Sequence, residues 1–280
     1  MNDYTHDNGD RNLSGPHYAM EYNVAGEPAL RVIANLNGWG IQVSSGEVDG
    51  VSYVEKFGYQ TDVPNGDIAT VWDGTGLYDY LTTVTTVTVT SDDSDDNPAG
   101  SGARQVEIQG LDQDHNVVLE TVDLGGTSIT TFIRVFRVRV CVSGGTNPNQ
   151  GVISVTGGGK TLAIIDKLAN NADGHGQTNM AIYTVPAGKT AYLTQWTVSS
   201  GKQNADTIAK LMVRDTYHPD DGAWNVKDIV EIQATSFNKE YRVPLQFTEK
   251  TDIEIRAFSN TGSSCTSTFN LILIDNPVEE

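Results

Sequence analysis

The sequence predicts an all-β protein: two antiparallel β-sandwich or jelly-roll-like units behind an extended N-terminal arm. Three observations carry that reading. From about residue 80 to 275, Val, Ile and Phe alternate with Thr, Ser or charged residues, as in Val84–Thr90 (VTTVTVT), Arg134–Val142 (RVFRVRVCV) and Asp252–Phe258 (DIEIRAF). Successive side chains of a strand point to opposite faces, so this pattern builds sheets with one buried and one wet side. No stretch repeats convincingly at the helical period, and 28 glycines supply the many turns that short strands need.

Met1–Pro16 is polar and rich in Asn, Asp and Gly, the composition of a flexible or partner-ordered arm. Leu30–Leu36 and Trp39–Val43 are short apolar pieces around Asn37-Gly38, a hairpin-type turn signal. Residues 1–50 are therefore set apart as arm and short hairpin.

A first sandwich is expected over residues 51–156. Trp72–Gly76 is an aromatic, turn-rich corner, and Ser91–Gly102 (SDDSDDNPAGSG) is a loop. Val106–Ile108 and Val117–Leu124 flank the polar turn Leu111–Asn116 as a hairpin. Gly144–Gly151 closes the next strand. A second, jelly-roll-like unit is expected over residues 157–280. Thr161–Leu168 is too short to assign, because Leu162, Ile165 and Leu168 also fit a three-residue spacing. Strands then follow at Ala181–Val185, Ala191–Val198 (with Tyr192 and Trp196 sharing a face), Lys210–Arg214, Ile229–Ala234, Tyr241–Leu245, Ile253–Phe258 and Phe269–Ile274. Strands at this spacing imply sandwiches or jelly rolls.

The charge balance, 18 basic against 36 acidic residues for a net of -18, repels nucleic acid and anionic membrane. Met1–Gly15 has neither a basic start nor an apolar core, so no signal peptide is expected. No run reaches the roughly 18 apolar residues of a membrane span. Cys141 and Cys265 are expected to be unrelated reduced thiols.

The apparent chemical motifs weigh toward turns. Gly157–Thr161 and Gly188–Thr190 end in Gly-Lys-Thr, but Ser154 and Tyr183 stand where a phosphate loop needs Gly, and no long helix follows. Asp112, Asp114 and Asn116 begin like a calcium loop, making them the metal candidates. Val117 occupies the sharp-turn Gly position and Asp123 the position of the closing Glu, so a self-bonded hairpin loop explains them as well. Asp92, Asp93, Asp95 and Asp96 are expected to be a solvated, extended loop. The five histidines have no metal-ligand spacing, and no nucleophile elbow occurs. No catalytic residue and no cofactor is expected. A hydrolase would need a partly buried Asp/Glu couple with separated pKa values. A carbohydrate-binding module would need an aromatic strip beside carboxylates. Among the aromatics, Trp196 is expected in the core, while Trp224, Trp39 and Tyr217 are the candidates for partner contact.

The order Lys56-Phe57-Gly58-Tyr59, Val71-Trp72-Asp73-Gly74, Ala99–Arg104 and Gly110-Leu111-Asp112 resembles a group of virion structural proteins of tailed bacteriophages. So do Gly144–Asn147, Ala181–Tyr192 and Leu271–Asn276. The resemblance covers roughly residues 51–276 and rests on turns and strand ends. It implies a non-enzymatic β-sandwich part of a phage particle, a capsid-exterior decoration or cement subunit, with tail, adaptor or fibre-associated positions as alternatives. Its implied partners are major capsid or tail subunits and its own copies, as a trimer, with neither nucleic acid nor membrane; its location is the virion, after assembly in the host cytoplasm.

Overall fold

The computed structural model describes residues 18–22, 28–32, 38–167, 174–215 and 222–277. Strands dominate, as the alternation predicts. A hairpin of β1 (Tyr18–Tyr22) and β2 (Pro28–Val32) precedes a short helix, α1 (Trp39–Ser44). The helix replaces the second strand expected at Trp39–Val43. Gly38 caps it, its carbonyl accepting from the N–H groups of Ile41 and Gln42. Trp39 and Val43 stand one helical turn apart, so a single turn suffices to bury Val43. Met1–Pro16 lies outside the described residues.

The chain then forms β3 (Val51–Val63) and β4 (Ile68–Thr70). Six strands follow: β5 (Thr88–Ser91), β6 (Ala103–Leu111), β7 (Val117–Asp123), β8 (Arg134–Ser143), β9 (Ile153–Gly157) and β10 (Lys160–Ile165). Next come β11 (Ile182–Thr184), β12 (Lys189–Ser200), β13 (Thr207–Arg214) and β14 (Trp224–Ile232). The chain closes with β15 (Ser236–Phe247), β16 (Asp252–Ser259) and β17 (Ser263–Asp275).

Pairing sorts these strands into two interlocked bodies. One sheet runs β3-β17-β12-β15. The sheet opposite runs β16-β13-β14, with β11 and β4 end to end along the other edge of β16: Ile182–Thr184 face Asp252–Glu254, and Ile68–Thr70 face Arg256–Phe258. Taking β4 and β11 as one interrupted strand, the chain visits the sheets in the order of an eight-stranded jelly roll. Between the two halves of that strand, residues 72–180 form a second sandwich from sheets β10-β9-β5 and β7-β6-β8. Each body has its own core. Trp196, Phe269, Leu193, Leu211 and Ile255 fill the jelly roll, and Phe132, Ile108, Ile153, Leu162 and Met180 fill the insert.

This connectivity departs from the expected cut at 156/157, which falls inside β9, just before the Gly158-Gly159 turn of the β9–β10 hairpin. Residues 51–71 belong with 181–277, because β3 pairs with β17 along nearly its whole length. Alternation reveals a strand but carries no information about a partner two hundred residues away. Two bulges correct local readings. The register of β10 shifts between Thr161 and Ala163, which produces the helix-like spacing of Leu162 and Ile165 in a strand. In β12 it shifts between Leu193 and Gln195, so Ala191, Leu193, Trp196 and Val198 all point inward while Tyr192 faces the other way. Trp196 is core as expected, its indole N–H donating to Ser267 Oγ at 3.0 Å.

Candidate functional site

The chain enters the insert at Val71-Trp72 and leaves it at Met180-Ala181, and these crossovers are stitched to each other and to β16. Val71 N–H donates to Ile255 O (2.8 Å), Ile255 N–H to Ala181 O (3.1 Å), and Ala181 N–H to Val71 O (2.9 Å). Gly58 of β3 lies against this stitch. A Cβ there would stand 2.2 Å from Val71 O and 2.4 Å from Ala181 N. Just beyond, the Asp73 carboxylate accepts from Asn179 N–H (2.7 Å) and Nδ2 (3.1 Å), and Asn179 Nδ2 is 2.8 Å from His175 Nδ1. Burial pushes the Asp73 carboxyl up to about 7, with the Asp166 charge adding to it and the Asn179 bonds opposing it.

A charged seam joins the bodies. Ile253, Ile255 and Ala257 of β16 point into the jelly-roll core. Asp252, Glu254 and Arg256 point the other way, where alternation predicts a wet face, and the insert covers them. Asp252, fully buried, receives Arg134 Nε (2.8 Å) and Nη2 (3.0 Å) from β8, Arg214 Nη2 (2.6 Å) from β13 and Thr184 Oγ1 (2.6 Å) from β11. Glu254 is paired by Arg256 and accepts from Tyr80 OH at 3.0 Å. The guanidinium groups of Arg134 (5.1 Å) and Arg214 (4.8 Å) both lie over the Tyr80 ring, and Trp224 stacks on Arg214 (4.9 Å) and Arg256 (4.5 Å). Burial disfavours the Asp252 charge, but the two guanidiniums outweigh it and hold the carboxyl below its usual range. For Glu254, burial prevails over Arg256 and Tyr80, and its pKa rises. This Asp/Glu couple has the separated pKa values a hydrolase needs. Both carboxylates are nevertheless fully buried and bonded to side chains of the same protein. The seam is built to join two bodies.

The sequence candidates scatter. Trp224, a partner-contact candidate, is half-buried and stacks on two arginines of the seam that its loop neighbourhood in sequence did not reveal. Trp39 is 56% exposed on α1. Tyr217 lies outside the described residues. Asp112 Oδ1 accepts from the N–H groups of Asp114 and Asn116 (both 2.9 Å), and Asn116 Nδ2 reaches Oδ2 at 3.3 Å. That is a self-bonded turn, with His115 at φ 66°. Among the described residues, no group of three or more His, Cys, Asp or Glu side chains is placed to hold a metal.

The acidic loop is not extended as expected. Asp96 is buried and accepts from the N–H groups of Ala103 (2.7 Å), Gln150 (2.9 Å) and Gly151 (2.8 Å) and from Ser91 Oγ (2.7 Å). Those oriented donors replace water, so the loop folds around its own carboxylate. Both Gly-Lys-Thr stretches are turns, with Gly158, Gly159 and Gly188 at positive φ. Their lysines pair with Asp79 and Asp275.

Among the described residues, the jelly roll leaves β14 and β15 as open sheet edges, with Val226, Ile229 and Val243 exposed along them.

The fold and seam define a jelly roll carrying an inserted, salt-bridged β-sandwich. No protein-family model matches the chain, and no curated protein does. Among solved structures, it is similar to a chain of infectious bursal disease virus Gx strain at 11% identity and a TM-score of 0.21, over 80% of this chain and 71% of that one. A chain of the Gt strain matches at 9% identity and a TM-score of 0.20, over 82% and 72%. Likenesses this slight carry no argument about fold or role.

Proposed function

We propose that this chain is a non-enzymatic structural component of a virion, a capsid-exterior decoration or cement subunit of a tailed bacteriophage that assembles with its own copies and with shell subunits. The carrying observation is the division of labour in the fold. Buried charges are spent joining the two bodies, while the long edges β14 and β15 remain open with apolar side chains exposed. Open strand edges and exposed apolar residues are what subunits bury on assembly. Jelly rolls recur in viral shells, though they also serve lectins and cupins, so the fold supports the reading without deciding it. The net charge of -18 keeps such a surface soluble and away from packaged DNA.

Light scattering on the purified chain, with and without calcium, tests this. A defined trimer or larger ring, indifferent to the ion, is expected. A monomer at every accessible concentration overturns self-assembly.

A further inference from the structure

A cleft of about 450 Å³ opens where the outer face of the β7-β6-β8 sheet meets the edge of β3. Its size is that of an ordinary small-ligand site. The floor is built by register. Gln109 of β6 stands directly opposite Arg137 of β8, and Gln177, on the segment returning from the insert, bridges to Arg139 two residues further on. Cross-strand partners and alternate residues share a face, so Gln109, Arg137 and Gln177 all lie on one surface. Across from them runs β3, with Tyr53 (45% exposed) and Phe57 along the cleft. Arg137 Nη2 spans the gap to the Glu55 carbonyl at 2.8 Å, which fixes the two walls relative to each other.

Two polar side chains of the cleft are unused. The side-chain amides of Gln109 and Gln177 are half-buried and make no hydrogen bond among the described residues. An amide offers a donor and an acceptor side by side, which matches vicinal hydroxyl groups, and aromatic rings offer faces to the C–H side of a sugar. The two cationic side chains of the lining are engaged within the protein, Arg137 donating to the Glu55 carbonyl and Lys56 to the Phe136 carbonyl.

We infer that this cleft binds a neutral oligosaccharide, with Gln109 and Gln177 pairing with hydroxyls and Tyr53 packing on a ring. The cleft lies at β3, the edge of its sheet opposite β15.

Titration calorimetry of the full chain with gluco-, manno-, galacto- and N-acetylglucosamine hexasaccharides, and with a hexagalacturonate, is the test. At least one neutral probe is expected to bind. The paired substitution Gln109→Ala/Gln177→Ala should weaken it about tenfold or more, as losing two hydrogen bonds implies, with an unchanged circular dichroism spectrum. Tyr53→Ala, on the opposite wall, should weaken the same probe. Binding of no neutral probe, binding of the uronate alone, or binding that survives the substitutions in a folded chain overturns the inference.

Discussion

Asp252→Asn tests the seam most directly. The substitution keeps the shape of the side chain and removes its charge, leaving Arg134 and Arg214 facing a neutral amide. Removing one partner of a buried pair costs about 3–5 kcal/mol, because the remaining charge stays desolvated without compensation. Arg134, whose side chain is 9% exposed, should carry most of that penalty. Arg214, at 19%, retains some water and its stacking on Trp224, so its share is smaller. The expected loss is thus ~3–5 kcal/mol, which corresponds to roughly 6–20 °C in Tm at about 2–4 °C per kcal/mol. Urea unfolding at pH 7 measures it, provided the slope matches wild type.

The pH dependence has a fixed sign. The folded-state pKa of Asp252 is depressed, so its contribution is present above the unfolded carboxyl pKa of about 3.9 and disappears as pH falls through the folded value. Wild type and variant should therefore converge in strong acid. Arg134→Met/Asp252→Leu should recover part of the loss, because the penalty belongs to the orphaned guanidinium. A loss below about 1 kcal/mol, or a double variant weaker than the sum of its singles, would show that the seam does not hold the bodies together as argued.

Three further outcomes follow from the geometry. Asp73 has a raised folded pKa, so the stability it contributes is present below its unfolded value and lost as pH rises through about 7; Asp73→Asn should flatten that fall between about pH 4 and 7, read as Tm against pH. Gly58→Ala drives a methyl into the backbone of both crossovers and should cost at least about 3 kcal/mol or prevent folding, since neither Val71 O nor Ala181 N can retreat without breaking the stitch; wild-type stability in that variant would contradict the placement. Cys141 is exposed, whereas Cys265 is buried with its thiol pushed up to about 12, so a disulfide-exchange reagent should titrate one thiol in the native protein and two in urea.

Much of the fold is local and therefore legible in the residues. The alternation of Arg134–Val142 marks β8, and the polar turn Leu111–Asn116 marks the β6–β7 hairpin, because strand faces and turn geometry depend on neighbours in sequence. The burial of Trp196 was legible for the same reason. The bulges in β10 and β12 were not, since one extra residue inverts parity without altering composition. Nor was the cleft: Gln109 and Gln177 stand far apart in sequence, in segments that look like ordinary strand and loop, and no motif joins them.

By itself, then, the sequence determined the all-β class, most strand positions, the acidic field and the turns behind the Gly-Lys-Thr stretches, all properties of short-range chemistry. The tertiary structure alone decided that β4 and β11 are halves of one jelly-roll strand interrupted by a sandwich. It also decided that the polar face of DIEIRAF is buried. A carboxylate on an alternating strand is solvated by default. Only the arrival of Arg134 and Tyr80 from the insert, more than a hundred residues upstream, makes the burial of Asp252 and Glu254 affordable.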